Sequence, residues 1–292
     1  MSVKVNDNSL RELIEDIEKV EVLHRPELFG GDSIQTLITD LDTSEVTDMK
    51  EAFFSSGVNY PIGNWNVSNV TDMSGMFHRS IYNHSVNEWN VSSVTNMSNM
   101  FERSIYNHSV NEWNVSNVTS MSGTFCGSKY DHPLNGWNVS RVTSLHSTFS
   151  NSIFNHPIGN WDISNVTSLY NTFAYSLYDH PLNEWDVSSV TNMDNMFYGS
   201  KYNHPANKWD VSNVTSMEYT FRDSLFNHPI GNWDISNVTN MRGMFKNSNF
   251  KQDLEAWGDK LHPDVLVLDM FMGSPMEGNE PSWYHERAAK EM

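Results

Sequence analysis

The chain has 292 residues, 38% of them hydrophobic, and carries 36 acidic against 18 basic side chains for a formal charge of −18. Phosphate binding needs a basic stripe, so nucleic acid is excluded as a partner, and no apolar run reaches the roughly 18 residues that a membrane-spanning helix requires. Cys126 is the single cysteine, which excludes an internal disulfide and a cysteine-based zinc site.

The opening segment, MSVKVNDNSLRELIEDIEKV, has no basic region leading into an apolar one. No signal peptide is visible, and a cytoplasmic or virion-associated location is expected over a cell-surface one. Ser9 and Glu12 have the spacing of a capping box. Leu10, Leu13, Ile14, Ile17 and Val20 follow as one apolar stripe with acidic residues opposite. This predicts an amphipathic helix over 9–22 within an N-terminal cap at 1–37; a docking helix for a partner is the alternative. Residues 38–61 read as a degenerate first coil, with Ile38, Leu41, Val46, Met49 and Phe53 in phase and Leu41 where a Trp is expected.

From residue 65 onward Trp recurs every 24 residues, at 65, 89, 113, 137, 161, 185, 209, 233 and 257. Phe keeps the same step from 53 to 245. Counting each coil from its Trp, position 3 is Val or Ile, 6 is Val, 9 is Met or Leu, 13 is Phe, 18 is usually Tyr or Phe, and 22 is aliphatic or Ala. One coil cannot bury these residues alone, so neighbours must stack on it. PIGNWNVS, with Trp65 and Val67 alternating inward, predicts a short parallel strand from position 22 to 4. VTDMSGMF, with Val70, Met73 and Phe77 at helical spacing and Thr71 as N-cap, predicts a short α or 3-10 helix. The fold class expected is an α/β repeat solenoid of about ten coils over 38–279, regular at 62–253. Verbatim copies, such as RSIYNHSVNEWNVS at 79–92 and 103–116, point to growth by duplication.

At the far end Trp257 is in phase, but Phe271 lies 14 residues on, which marks a two-residue insertion in a distorted last coil. Residues 280–292 are expected to form a C-terminal capping helix. Residues 1–51 hold 13 acidic and 5 basic side chains, and residues 251–292 hold 9 and 4. Acidic ends oppose end-to-end stacking of such an array.

The blocks NWNVSNVTDMSGMF at 64–77, NWDISNVTNMRGMF at 232–245 and FKQDLEAW at 250–257 resemble the BspA-like repeat family, relatives of leucine-rich repeats first noted in bacterial surface proteins and Mycoplasma lipoproteins. The resemblance runs over about residues 38–284 and implies a right-handed, leucine-rich-repeat-like solenoid used for adhesion or protein contact. It implies no catalytic residue and no cofactor. The chain departs from the family in lacking a leader or lipobox, in His where Gln is commoner, and in Pro where Asp follows it.

Three groups of residues are candidates for chemistry. His84, His108, His132, His156, His180, His204 and His228 form a column at position 20, which suits either a hydrogen-bonded turn ladder or a metal-binding or pH-sensing row. Tyr60 and Gln252 fill the same slot at the two ends, which favours the turn ladder. Positions 10, 11, 14 and 15 carry small residues in early coils but His146, Tyr170, Tyr175, Tyr198, Tyr219 and Arg222 in later ones, the residue types of binding anchors. The opposite side, with Asn87, Glu88, Asn183 and Glu184, is the other candidate surface. Nearly every Ser, Thr, Asn and His recurs in each coil, so none is singled out as a nucleophile or base. Cys126 occupies a permissive slot read as solvent-facing, and the repeated Asn-Val-Thr and Asn-Val-Ser sequons read as unused. The functional expectation is a non-catalytic, monomeric scaffold for adhesion or a protein partner. The alternative is a structural spacer or cement protein of a virion or surface layer.

Overall fold

The computed structural model describes residues 3–23 and 34–291, excluding the side chains of residues 20–23. The chain divides into two compact units, Met1–Arg141 and Val142–Met292.

In the first unit, helix α1 spans Asp7–Leu23 and a second short helix, α2, spans Ile34–Thr39. Leu10, Ile14 and Ile17 are buried, Leu13 is half-buried, and Val20 lies outside the described side chains. The cap of α1 differs from the expected Ser9–Glu12 box. Asn6 Oδ1 accepts the Ser9 N–H at 3.1 Å, and Ser9 Oγ accepts the Asn6 N–H at 2.9 Å. The box therefore exists three residues earlier, with Asn6 at its head, because Asn competes as well as Ser for that role.

Each coil is built differently from the strand-plus-helix expectation. Residues 62–68 form turns, with Trp65 N–H bonded to the Ile62 carbonyl and Ser68 N–H to Asn66 Oδ1. Asn and Gly here favour local closure over a ladder. Coils instead pair at position 8, through isolated parallel bridges such as Asp48↔Asp72, Asp72↔Asn96 and Asn96↔Ser120. Past the bridge the backbone alternates. The N–H groups of Met49, Glu51, Phe53 and Ser55 donate to Asp72, Ser74, Met76 and His78 of the next coil at 2.7–2.9 Å. The intervening N–H groups of Ala52, Phe54 and Ser56 close turns onto Met49, Glu51 and Phe53 at 2.9–3.2 Å.

This pattern needs a left-handed residue every fourth position. Gly75 and Arg79 have φ of 62° and 56°, and Asn99 and Arg103 have 57° and 53°. A left-handed residue cannot continue a helix, so the Val70, Met73, Phe77 spacing does not make one. Nor is Thr71 a cap: its N–H and hydroxyl both go to the Thr47 carbonyl, at 2.8 and 3.3 Å.

The core of this unit consists of columns. Phe53, Phe77, Phe101 and Phe125 stack at 5.5–5.7 Å between ring centroids, all fully buried. Trp89 and Trp113 stack at 6.4 Å. Each indole N–H reaches a position-22 carbonyl 27 residues back, just over one coil: Trp65 to Ile38, Trp89 to Ile62, Trp113 to Val86 and Trp137 to Val110, at 2.9–3.1 Å. The indole thus buries its bulk without orphaning its donor. Buried Ser80, Ser104 and Ser128 accept the N–H groups of Tyr82, Tyr106 and Tyr130 at 2.9–3.1 Å.

The second unit repeats the scheme. Its bridges run from Ser144↔Ser168 to Asn240↔Leu266. Phe149, Phe173, Phe197, Phe221, Phe245 and Phe271 stack at 5.6–5.9 Å. A 3-10 turn occupies Glu255–Lys260, and α3 spans Tyr284–Ala288, shorter than the expected 280–292 helix. Trp283, read from sequence as part of that helix, instead joins the Trp column: its indole donates to the Leu254 carbonyl at 2.9 Å. The two-residue insertion falls between Trp257 and Phe271, after which the 12-residue step from Phe to Trp resumes.

Carboxylates close both series of coils. Asp7 accepts the Thr47 N–H at 2.7 Å, the Thr47 hydroxyl at 2.9 Å and the Asp48 N–H at 3.1 Å. Elsewhere these three donors go to the preceding coil's Thr carbonyl, as Thr95 and Asn96 go to Thr71. Partial burial pushes the Asp7 carboxyl up, but the Thr47 and Asp48 donors outweigh it and hold the group below its ordinary value. In the last coil Glu291, 3% exposed, accepts the Val267 and Leu268 N–H groups and pairs with Arg242 at 2.9 Å.

Two tests follow from this packing. The Tyr106 hydroxyl is buried with no hydrogen bond of normal geometry, and Phe154 and Phe226 fill the same slot in other coils. Tyr106→Phe is therefore expected to be neutral or to stabilise by up to about 1 kcal/mol in urea unfolding, whereas Trp113→Ala should cost about 3–5 kcal/mol. Because the Asp7 pKa is lowered on folding, its contribution is complete above the unfolded carboxyl pKa of about 3.9 and disappears as pH falls through the folded value. Protection factors of α1 amides should drop across that acid range in the wild type. In Asp7→Asn they should be lower at neutral pH and show no such step.

Candidate functional site

The turns at positions 10–15 face outward at position 10, at position 14 in most coils and at the tips of their left-handed residues, whereas position 12 is buried, as Met76, Met100 and Thr124 are. Most of the left-handed slots hold Gly, Asn, Asp or Ser, the types that tolerate positive φ, while Glu51, Arg79 and Arg103 fill three of them in the first unit. In the second unit two tyrosines occupy them: Tyr175 with φ 55° and Tyr219 with φ 54°. A bulky side chain there carries strain of about 1–3 kcal/mol, which concentrates at functional sites.

The rings are seated by glycines one coil on. A Cβ at Gly199 would lie 2.6 Å from the Tyr175 ring, and one at Gly243 would lie 2.3 Å from the Tyr219 ring. Tyr175 remains 50% exposed. It meets Tyr198 at 4.7 Å between centroids, tilted by 50°. The hydrogen bond between their hydroxyls, reinforced by partial burial and by the Tyr198 and Asp223 charges, pushes the Tyr175 hydroxyl up to about 12. Arg222 lies between the next two rings, its guanidinium carbon 5.2 Å from the Tyr198 centroid and 4.9 Å from that of Tyr219. Its Nε donates to Asp223 Oδ2 at 3.2 Å. Aromatic stacking and the ion pair fix the guanidinium in place.

Of the six residues expected on this surface, the structure thus joins Tyr175, Tyr198, Tyr219 and Arg222 into one cluster. His146 and Tyr170 form a separate pair at 4.7 Å, and burial pushes the His146 pKa down. Sequence reading missed Asp223 and the exposed Leu177 and Leu225, which are 42% and 46% exposed. The signal for the leucines was present at position 17, where Ile81, Ile105, Ile153, Leu177 and Leu225 alternate with Gly57, Lys129, Lys201 and Asn249. An aliphatic side chain at an outward position has no packing reason to recur.

The histidine column is a turn ladder in geometry. The Nε2 atoms of His84, His108, His132, His180, His204 and His228 lie 2.8–3.1 Å from position-19 carbonyls of the preceding coil. Each ring also meets the position-18 aromatic of its own coil edge-on or tilted, as His84 does Tyr82 at 5.8 Å. Contact with a carbonyl requires Nε2 to carry the proton, which directs that nitrogen away from a metal. His204 adds a contact to Asp179 Oδ1 at 2.9 Å. Among the described residues no three His, Cys, Asp or Glu side chains are grouped to hold a metal ion. On the opposite side Asn87, Glu88, Asn183 and Glu184 lie on turns rather than a strand, with Glu184 paired to Lys208. Cys126 is half-buried rather than fully solvent-facing.

Matches to a family model described as "Mycoplasma protein of unknown function, DUF285" cover residues 27–130, 79–179, 104–200 and 175–276. The chain belongs to this repeat family. The overlapping matches to DUF285 repeats fit an array whose 24-residue unit is shorter than the family model. No curated protein and no solved structure gives a significant match to the chain. Among the described residues no helix is long and apolar enough to cross a membrane.

The strain argument has a direct consequence. Tyr219→Asn replaces a bulky left-handed residue by one that occupies the equivalent slot in Asn171 and Asn195. Its melting temperature is expected to hold or rise, by up to about 1 kcal/mol in stability. A loss larger than that would mean the Tyr219 ring contributes more to folding than its backbone costs.

Proposed function

We propose that this DUF285 repeat protein is a non-catalytic scaffold that holds a protein partner on the Tyr175–Tyr198–Arg222–Tyr219 cluster. In this reading each unit is a stretch of solenoid related to the BspA-like, leucine-rich-repeat class, and its stacked coils serve as a rigid mount. The observation that carries the reading is the pair of tyrosines in left-handed slots. Gly, Asn or Asp serve the fold better there, so the rings are retained for contact rather than for stability.

Three further features support it. Tyr and Arg are the residue types that dominate binding energy at interfaces. The cluster is pre-organised by the Tyr175–Tyr198 ring contact and the Arg222 stack, which lowers the entropic cost of association. Exposed Leu177 and Leu225 add apolar surface. The polar side chains of the coils are occupied by inter-coil hydrogen bonds that repeat from turn to turn, as Thr215 and Thr239 illustrate, and this supports a mount rather than a catalyst.

The test is a combined variant, Tyr170, Tyr175, Tyr198 and Tyr219 each to Ser, compared with the wild type in cross-linking and pull-down from the native host. The variant is expected to keep its melting temperature within a few degrees and to lose the captured partner. Retention of the same partner at the same yield would remove this face from consideration.

A further inference from the structure

We infer that the cluster recognises an arginine-bearing, basic segment of its partner, whose guanidinium stacks on the outward face of Tyr175. This rests on the reading of the cluster as a protein-binding face and specifies the chemistry it selects.

The molecule supplies its own example of the contact. Arg222 lies over Tyr198 and Tyr219 at 5.2 and 4.9 Å and gives its Nε proton to Asp223. Tyrosine rings one coil apart therefore hold a planar cation when a carboxylate stands beside them. Tyr175 extends the same row by one coil toward the N-terminus, and its ring is half exposed. Its underside is supported by Gly199 and its ring packs against Tyr198, so the ring presents a fixed face. The quadrupole of such a face attracts a cation, and guanidinium, being planar and weakly hydrated, stacks better than ammonium.

Charge points the same way. Residues 142–292 hold 18 acidic and 9 basic side chains, so their field draws in a basic segment and repels an acidic one. Asp223 lies close enough to act on Tyr175. The apolar stem of an incoming arginine has Leu177, two residues along the same coil, as exposed aliphatic surface.

The experiment is a fluorescence-anisotropy titration of the full chain with labelled (Arg-Gly)6, (Lys-Gly)6 and (Glu-Gly)6 peptides at low and moderate salt. The arginine peptide is expected to bind, the lysine peptide to bind at least about threefold more weakly, and the glutamate peptide not to bind. Tyr175→Leu should weaken the arginine peptide about fivefold, Tyr175→Phe should retain it, and Asp234→Asn, a charge control on another column, should change it less than about twofold. Should Tyr175→Leu fail to fold, Tyr175→Asn, whose residue type fills the equivalent left-handed slot at Asn151 and Asn247, is read in its place, with about a fivefold loss expected. Equal binding of arginine and lysine peptides, an unchanged Tyr175→Leu, or no binding at all would overturn the inference. If those results came while the four-tyrosine variant still lost its natural partner, the binding face would stand and only its chemistry would be wrong. If that variant lost nothing, both would fall.

Discussion

Everything in this chain depends on how its backbone donors are shared between neighbouring coils. Along positions 9–15 alternate N–H groups point to the next coil and the others close turns within their own. From Met49 to Ser56 each N–H is thereby paired, as a buried polypeptide requires. The arrangement has a conformational cost, since a left-handed residue is required at positions 11 and 15. Glycine or asparagine meets it cheaply, and the aromatic columns behind the turns stabilise the coil against the remainder. Side chains at positions 9 and 13 then point inward while 10 and 14 point outward, so the ladder fixes both the core and the recognition face.

The core columns are specified as tightly. A Trp column could bury its bulk in many registers, but the indole N–H must meet a carbonyl, and its partner is the position-22 carbonyl 27 residues back in the regular coils, or 29 back for Trp283 across the insertion. A slip of one residue would orphan both groups and turn the inward residues out. The aromatic rings supply most of the buried area, and the hydrogen bonds choose the register.

Much of this was legible in the sequence. The 24-residue period, the inward positions, the N-terminal helix and the distorted last coil are all encoded as hydrophobic spacing, which reports burial directly. The local backbone was not. Val70, Met73 and Phe77 fit a helix by spacing, yet Gly75 and Arg79 are left-handed. The recurrence of Gly or Asn four residues apart, as at Gly123 and Gly127, Asn195 and Gly199, and Gly243 and Asn247, was the available evidence against a helix. Trp283 was hidden because the insertion broke its phase with Trp257, although its distance from Phe271 was the usual one. At the recognition face the variable residues were visible as a departure from small side chains. Their sorting into one cluster and one pair was not, because ring tilt and glycine clearance depend on neighbouring coils.

The acidic ends acquire a more specific meaning than mutual repulsion. A terminal coil faces the solvent with donors that every interior coil gives to a neighbour's carbonyl. The replacement must accept hydrogen bonds without donating, and it must serve several donors from one point. A carboxylate does both. Asp7 takes over the three bonds of a missing Thr carbonyl. Glu291 serves two donors at the other end: Val267, which would bond a following coil, and Leu268. The second has no local acceptor because position 8 of that coil is Leu266, where other coils place Asp, Asn or Ser. An amide could replace one oxygen but would bring a donor into a site already full of them. These acids stand where no adjoining coil does: between coils, a neighbour's carbonyl oxygen performs this role, as that of Thr71 does for Thr95 and Asn96.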